Sequence, residues 1–257
     1  MSVVAVLSEM QAERIKLSTT RSPLWTAAAV AVLSIGLAAL QEATAYGAAP
    51  LPPERAATGV AVFGVPLLMV LAAMTVTGEY RSGMIRTTFM AAPDRTLVLV
   101  AKAVVIGVFS GLYTALMVIG SVLAAGMTAP PLVGIESHLS LGAAETWRAV
   151  GAIALVGLLT AVLGVGAGAL LRHSAGVVAV LLLWPLVAEP ILGNLPNIGS
   201  EVGPYLPFGN AFQLTRVQWL YPVYDMPWGE LGSLLYFVAV VAVVFVAAIV
   251  VVNRRDA

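Results

Sequence analysis

Six long stretches of apolar, almost uncharged residues restrict the fold of this sequence more than any other feature. A helix that crosses the hydrocarbon core of a membrane needs about 20 apolar residues. Ala, Val, Leu and Gly dominate the stretches, and polar residues do not alternate with apolar ones, which favours helices over the strands of a membrane barrel. We therefore expect an all-α polytopic membrane protein, a single domain over residues 1–257 with six transmembrane helices. The stretches are residues 24–40, 59–77, 97–126, 147–171, 175–192 and 231–252.

Composition argues against several other classes of protein. Charged residues make up 10% of the chain, against about 25% in soluble domains. The 13 basic and 13 acidic side chains cancel, so no net positive field exists to attract nucleic acid. Without cysteine and with two histidines, the chain offers no disulfide and no favourable metal centre. The only lysines, Lys16 and Lys102, do not follow glycine, so a phosphate-binding loop, a nucleotide site and catalytic residues are not expected.

Basic residues predict the orientation, because cytoplasmic loops are enriched in Lys and Arg. Nine fall on one side of the six-span arrangement and three on the other, so both termini are predicted in the cytoplasm and the chain in the inner (plasma) membrane. Lys102, Arg148 and Glu189 lie near the ends of apolar stretches, where we expect long side chains to reach the headgroups, or Glu189 to cap a helix locally. The nine are Arg14, Lys16, Arg21, Arg81, Arg86, Arg95, Arg172, Arg254 and Arg255; the three are Arg55, Arg148 and Arg216.

The leader before the first apolar stretch, residues 3–18, has the periodicity of a surface helix. Apolar residues recur at i, i+4 and i+7 from Val3, and Glu13 and Lys16 fall on the opposite face. Arg14 interrupts the apolar face, and its side chain can extend to lipid headgroups. We expect a helix lying flat at the membrane interface. The alternative is a leader helix without a role.

The loop between the second and third stretches, residues 78–95, is the most informative connection. Glu79, Gly83 and Arg86 are spaced i, i+4, i+7, which predicts one short helix that presents all three on one face. Gly83 would leave a notch for close approach of another chain. Pro93-Asp94 would then end the helix. The alternative is an ordinary solvated loop whose arginines only set topology.

The segment of residues 193–229 is long for a connection and rich in proline and aromatic residues. It holds seven of the 19 aromatic residues of the chain, which indicates contact with the outer membrane interface. Residues 209–220 could form a short amphipathic or re-entrant helix. The alternative is an aromatic belt that serves only as an anchor.

Small residues within the stretches predict close helix packing. Gly164 and Gly168 are four residues apart in the fourth stretch, and Gly107 and Gly111 repeat that spacing in the third. Such pairs allow two helix backbones to approach each other in a membrane.

These segments together resemble one family, the type-2 permease subunits of bacterial ATP-binding-cassette exporters whose ATPase is a separate chain. The leader of residues 12–17, followed by residues 20–22, is similar to the family's interfacial connecting helix, which the resemblance places in residues 1–22. Residues 205–211 are similar to its outer segment before the last span. The loop matches its coupling helix through Glu79, Gly83, Arg86, Pro93, Arg95 and then Lys102.

The resemblance implies a division of labour between chains. Two ATPase subunits, which hold ATP and Mg²⁺, would dock on the cytoplasmic face. A second permease, identical or paralogous, would pair with this chain. The substrate path would lie at the interface of the two permeases, and membrane lipids would surround the pair. This chain would carry no cofactor, metal or catalytic residue of its own. The implied coupling residues are Glu79, Arg81, Gly83, Arg86 and Arg95, and those of the connecting helix are Glu13 and Lys16.

Apolar walls with few charges favour a hydrophobic or amphipathic cargo, such as a drug, a lipid-like molecule or a peptide, over small ions. Thr75, Thr77 and Trp184 are candidates for the substrate path because they are polar or aromatic residues of the second and fifth stretches. One alternative is a membrane anchor or assembly subunit that transports nothing. Another is an intramembrane enzyme, which the shortage of Asp, His and Cys disfavours.

Overall fold

The computed structural model describes residues 3–44, 52–92, 94–128, 139–217, 221–222 and 224–254, with side chains from residue 6 onward. Pro93, Arg255 and the side chain of Val3 lie outside this description. All regular structure in these ranges is helical, which confirms the all-α prediction. The helices are α1 (Val3–Thr19), α2 (Arg21–Ala43), α3 (Pro53–Ala56), α4 (Val65–Ser82), α5 (Met84–Ala91), α6 (Arg95–Thr128), α7 (Ala144–Leu171), α8 (Ser174–Leu183), α9 (Glu189–Asn194), α10 (Ile198–Val202), α11 (Pro207–Thr215) and α12 (Glu230–Arg254).

Six helical segments are long and apolar enough to cross a membrane, which confirms the six predicted spans. Span two is the interior helix of the bundle: 78% of its apolar window is buried, against 22% for spans one, five and six. The exposed apolar faces of those three spans suit contact with lipid or with a second subunit. Spans one to six are Arg21–Ala43, Val60–Ser82, Arg95–Thr128, Ala144–Leu171, Ser174–Asn194 and Glu230–Arg254.

Glycine allows spans two and four to pack closely, as the spacing in the sequence predicts. A Cβ added at Gly164 would overlap the carbonyl oxygen of Met69, and one at Gly168 would lie 2.8 Å from the carbonyl oxygen of Ala73. Spans three and four also pack closely, since a Cβ at Gly157 would lie 2.7 Å from Thr114 Oγ1 and one at Gly111 would lie 3.2 Å from the carbonyl oxygen of Ala154. Spans two, three and four therefore form the packed centre of the bundle.

Proline shapes spans two and five. Span two begins with a π-helical turn, Val60–Gly64, and Pro66 follows in the first turn of α4. In span five a π-helical turn, Trp184–Ala188, contains Pro185 and joins α8 to α9. Because proline has no N–H to donate, it loosens the regular helical hydrogen bonding at these points.

The two ends of the bundle differ. α1, α5 and the last turn of α12 lie at one end, which we call the α1 end. There the Arg95 guanidinium donates a 3.0 Å hydrogen bond to the carbonyl oxygen of Val252, and the Asn253 amide donates to Thr96 Oγ1 at 2.9 Å. The described amino-terminal helix and the end of the carboxy-terminal helix thus lie at the same end of the bundle, as an even number of spans requires. The opposite end, which we call the α11 end, carries α3 and α9–α11.

Candidate functional site

The predicted coupling segment is a hairpin of two helices rather than one short helix. α4 ends at Ser82, α5 begins at Met84, and Gly83 between them has a φ of 72°. Glycine commonly ends a helix in this left-handed conformation, because a Cβ is strained there. The prediction that Glu79, Gly83 and Arg86 share one helix face is therefore wrong, since the chain changes direction at Gly83.

One side of α5 is anchored to the bundle and the other is bare. Ile85 is buried, and the Arg95 guanidinium lies over the ring of Phe89, 5.1 Å from its centroid. The opposite side exposes both cationic and apolar side chains. The exposed residues of the hairpin include Arg81, Met84, Arg86 and Met90.

Glu79 belongs to an ion cluster of four residues at the base of this hairpin. Lys16 Nζ donates to Glu13 Oε1 at 2.7 Å and to Glu79 Oε1 at 2.8 Å. Lys102 Nζ donates to Glu13 Oε2 at 2.5 Å and to Glu79 Oε1 at 3.0 Å. The cluster therefore joins α1, the last turns of α4 and the early turns of α6 through two carboxylates and two ammonium groups.

Burial makes this cluster energetically significant. Glu13 is 4%, Glu79 7% and Lys102 3% exposed, and only Lys16 reaches solvent substantially. Charges this deeply buried persist only when paired, and removing one partner of such a pair is strongly destabilising. Burial alone would lower the pKa of Lys16, but the hydrogen bonds and negative charges of Glu13 and Glu79 outweigh burial and raise that pKa above its ordinary value.

Lys102 is the residue of this cluster whose role the sequence predictions missed. We expected its side chain to extend to lipid headgroups, but it points inward and pairs with Glu13 and Glu79. The sequence did contain a signal, since a lysine within an apolar span requires a counter-ion. What the sequence lacked was the identity of that partner, because Glu13 is 89 residues away.

A cavity of about 320 Å³ lies beside the cluster and contains two of the three predicted substrate-path residues. Thr75 and Thr77 both line it. The Thr75 hydroxyl donates to the carbonyl oxygen of Ala72 at 2.7 Å, whereas the Thr77 hydroxyl is buried without a hydrogen bond to any described residue. Other lining residues include Glu13, Lys16, Leu71, Met74, Glu79 and Lys102.

Trp184, the third predicted substrate-path residue, lies elsewhere and holds Glu189. Its indole Nε1 donates to Glu189 Oε1 at 2.7 Å. Glu189 Oε2 accepts from the backbone N–H groups of Phe208 at 2.9 Å and Gly209 at 3.1 Å. A carboxylate at these free N–H groups stabilises the start of α11, so Glu189 caps a helix that is distant in sequence rather than reaching the headgroups. α11, Pro207–Thr215, is a short helix that overlaps the predicted residues 209–220 only over 209–215, and residues 218–220 lie outside the described ranges.

Arg148 also pairs within the protein instead of extending to headgroups. Its guanidinium lies 2.9 Å from a carboxylate oxygen of Glu230 and 3.6 Å from one of Glu54. Arg216, just beyond α11, makes a second contact of 2.6 Å with Glu230. These pairs tie together α3, α7, α11 and α12 at the α11 end, opposite the hairpin.

No protein-family model matches this chain, and no curated protein matches it in sequence. Among the described residues, no group of three or more His, Cys, Asp or Glu side chains has the arrangement of a metal site. The features available for assigning a function are therefore the hairpin, the ion cluster, the cavity beside it and the resemblance of the segments that carry them.

Proposed function

We propose that this chain is the permease subunit of an ATP-binding-cassette exporter. The α1 end faces the cytoplasm, and a pair of separate ATPase subunits docks there and supplies the ATP hydrolysis. Two permease subunits, identical or paralogous, form the path between them in the plasma membrane. The cargo is hydrophobic or amphipathic and leaves the cytoplasm.

The observation that carries the proposal is the connection of the α4–α5 hairpin to the rest of the α1 end. Arg81, Met84, Arg86 and Met90 give the hairpin an exposed surface of mixed charge and apolar character, which suits a protein partner. Glu79, one turn before Gly83, is bound to Lys16 of α1 and Lys102 of α6. A displacement of the hairpin is therefore transmitted to three elements at once.

Coupling follows from this rigidity. When the ATPase subunits close, they push on α5, and the push reaches α4 because only Gly83 separates the two helices. Independent motion of α4 would separate Glu79 from its two lysines, and breaking a buried ion pair costs about 3–5 kcal/mol. α4 therefore moves together with α1 and with the start of α6. Because α4 is the interior span, its displacement changes the packing of the whole bundle.

The cavity beside the cluster gives the cargo a place to enter from the cytoplasm. Its volume of about 320 Å³ falls within the range of small-molecule sites, about 300–1,000 Å³. Thr75 lies among apolar neighbours such as Leu71 and Met74, and the charged side chains of the ion cluster also line the cavity. This mixed lining suits an amphipathic molecule better than a small ion.

The test is reconstitution of the permease with its ATPase partner in proteoliposomes. We expect cargo-stimulated ATP hydrolysis and cargo movement in the wild type. Arg86→Ala should reduce ATPase binding and coupling at least severalfold while leaving membrane insertion intact. Arg254→Ala, which removes an exposed arginine at the same end but outside the hairpin, is the matched control.

Two results would contradict the proposal. If Arg86→Ala retains full coupled activity, the hairpin is not the docking element. If the complex binds an ATPase but no hydrophobic or amphipathic compound stimulates hydrolysis or is moved, the chain is a membrane anchor or assembly subunit instead. The bare hairpin would serve such a subunit as a docking surface without coupling.

A further inference from the structure

A second surface feature at the α1 end is a groove between α1 and α6, on the far side of α1 from the ion cluster. Its volume is about 490 Å³, larger than the cavity beside Glu79. The two sites are distinct, since they share only Leu17 and Pro23 among their lining residues. Residues that line the groove include Leu7, Met10, Arg14, Val104, Val108 and Phe109.

The walls of this groove are apolar and open. Leu7 is 55% exposed and Val108 47% exposed, although both are large hydrophobic side chains. The groove is held in shape from the other side of α1, where Glu13 and Lys16 are fixed to Lys102 and Glu79. A preformed apolar groove of this kind, on a helix beside a span, is complementary to an acyl chain.

A single cationic side chain borders the groove. Arg14 is exposed and makes no hydrogen bond or ion pair with any residue that the structure describes, and no described acidic residue lines the groove. The remaining polar lining residues, Gln11 and Ser18, are uncharged. The groove therefore carries one net positive charge beside a long apolar surface.

The length of α6 is compatible with this groove lying at the level of the lipid headgroups. α6 has 34 residues, which at 1.5 Å per residue gives about 51 Å, roughly 20 Å more than the hydrocarbon thickness of a membrane. The α1 helix packs on the early part of α6, near Lys102 and Val108. Arg14 can then lie among phosphates while an acyl chain follows α6 into the hydrocarbon.

We propose that the groove between α1 and α6 binds one anionic phospholipid, with a phosphate oxygen pair on the Arg14 guanidinium and an acyl chain along Val104, Val108 and Phe109. A guanidinium holds phosphate by two parallel hydrogen bonds. An anionic headgroup adds a net negative charge that attracts Arg14, whereas in a zwitterionic headgroup a cation cancels that charge. The inference rests on the membrane setting of the spans and not on the proposed transport activity, so the two can fail independently.

The test compares retained lipid in the purified full-length protein by native mass spectrometry, after equilibration with phosphatidylglycerol or with phosphatidylcholine. We expect preferential retention of one phosphatidylglycerol by the wild type. Arg14→Gln should weaken that retention about tenfold, the usual effect of losing a charge-assisted hydrogen bond, and Arg14→Lys should recover part of it. Arg254→Gln, the same change at an exposed arginine outside the groove, should have no effect.

Two further arms separate the lipid from a free anion. Val108→Trp should fill the groove and reduce lipid retention although Arg14 is present, because the acyl chain loses its place. Soluble glycerol phosphate should fail to displace the lipid at equal concentration. The proposal is wrong if Arg14→Gln and Arg254→Gln behave alike, if phosphatidylcholine is retained as well as phosphatidylglycerol, if Val108→Trp retains lipid normally, or if glycerol phosphate competes as well as phospholipid.

Discussion

Lys102 Nζ lies 3.0 Å from Glu79 Oε1, so a lysine of span three is paired with a glutamate of span two inside the helix bundle. Both side chains are buried, and the same lysine also binds Glu13 of α1. In a largely apolar protein this arrangement places two positive and two negative charges at one point of contact between three helices. The cluster therefore holds α1, α4 and α6 together at the α1 end.

Loss of Lys102 should destabilise the protein. Lys102→Met leaves Glu13 and Glu79 with Lys16 alone, and an unbalanced buried charge costs about 3–5 kcal/mol. Thermal unfolding in detergent would measure this as a lower Tm. The double variant Lys102→Met/Glu79→Gln restores charge balance and should recover part of the loss. A single variant as stable as the wild type would show that the cluster contributes no net stability.

Gly83 and Gly78 should respond differently to alanine. Neither position has a neighbouring atom within 4 Å of an added Cβ, but only Gly83 has a positive φ. Gly83→Ala should therefore lower the free energy of unfolding by about 1–2 kcal/mol through backbone strain alone. Gly78→Ala, within α4, should leave it unchanged or raise it by up to about 1 kcal/mol. Equal effects in denaturant titrations would argue against a left-handed residue at position 83.

The glycine contact between spans two and four should tolerate no side chain. Gly164→Ala places a Cβ against the carbonyl oxygen of Met69, so α7 must move away from α4, with an expected loss of about 1–3 kcal/mol. Gly151→Ala, in the same helix but with no atom within 4 Å of the new Cβ, is the control and should be neutral or slightly stabilising. Comparable Tm values for the two variants would contradict the close packing.

Glu189→Gln should loosen the α11 end. The amide keeps the shape of the side chain but supplies one acceptor where the structure requires acceptors for both Trp184 and the N–H groups of α11. Loss of charge-assisted hydrogen bonds of this kind costs about 1.5–3 kcal/mol. Hydrogen exchange at Phe208 and Gly209 should accelerate, whereas Glu201→Gln, at an exposed glutamate, should leave it unchanged. Unchanged exchange in Glu189→Gln would exclude the cap.

Some features could be predicted because they depend on a short piece of chain. Hydropathy over about 20 residues decides whether a segment spans a membrane, so all six spans were predicted with nearly their observed bounds. The spacing of Gly164 and Gly168 predicted close packing, since small residues one turn apart form a groove on any helix. Thr75 and Thr77 both line one cavity, but their spacing does not explain this, because residues two apart in a helix do not share a face.

Other features could not be predicted from spacing. The i, i+4, i+7 spacing of Glu79, Gly83 and Arg86 places them on one face only if the helix is unbroken. Gly83 breaks the helix with a left-handed backbone conformation, which residue spacing does not predict. The aromatic character of Trp184 and its place in span five suggest a substrate-path residue like Thr75 and Thr77 of span two. Its indole instead donates to Glu189 at the other end of the bundle.

The amino-acid sequence by itself determined that this protein is a bundle of six apolar helices, because the cost of exposing backbone polar groups to lipid leaves a long apolar segment no other stable form. The tertiary structure alone decided the partners of the few charges. Lys102, Arg148 and Glu189 each pair with residues from distant parts of the chain, and only the packing of the helices brings those residues within hydrogen-bonding distance. In an interior that solvates charge poorly, these pairings select one arrangement of the helices.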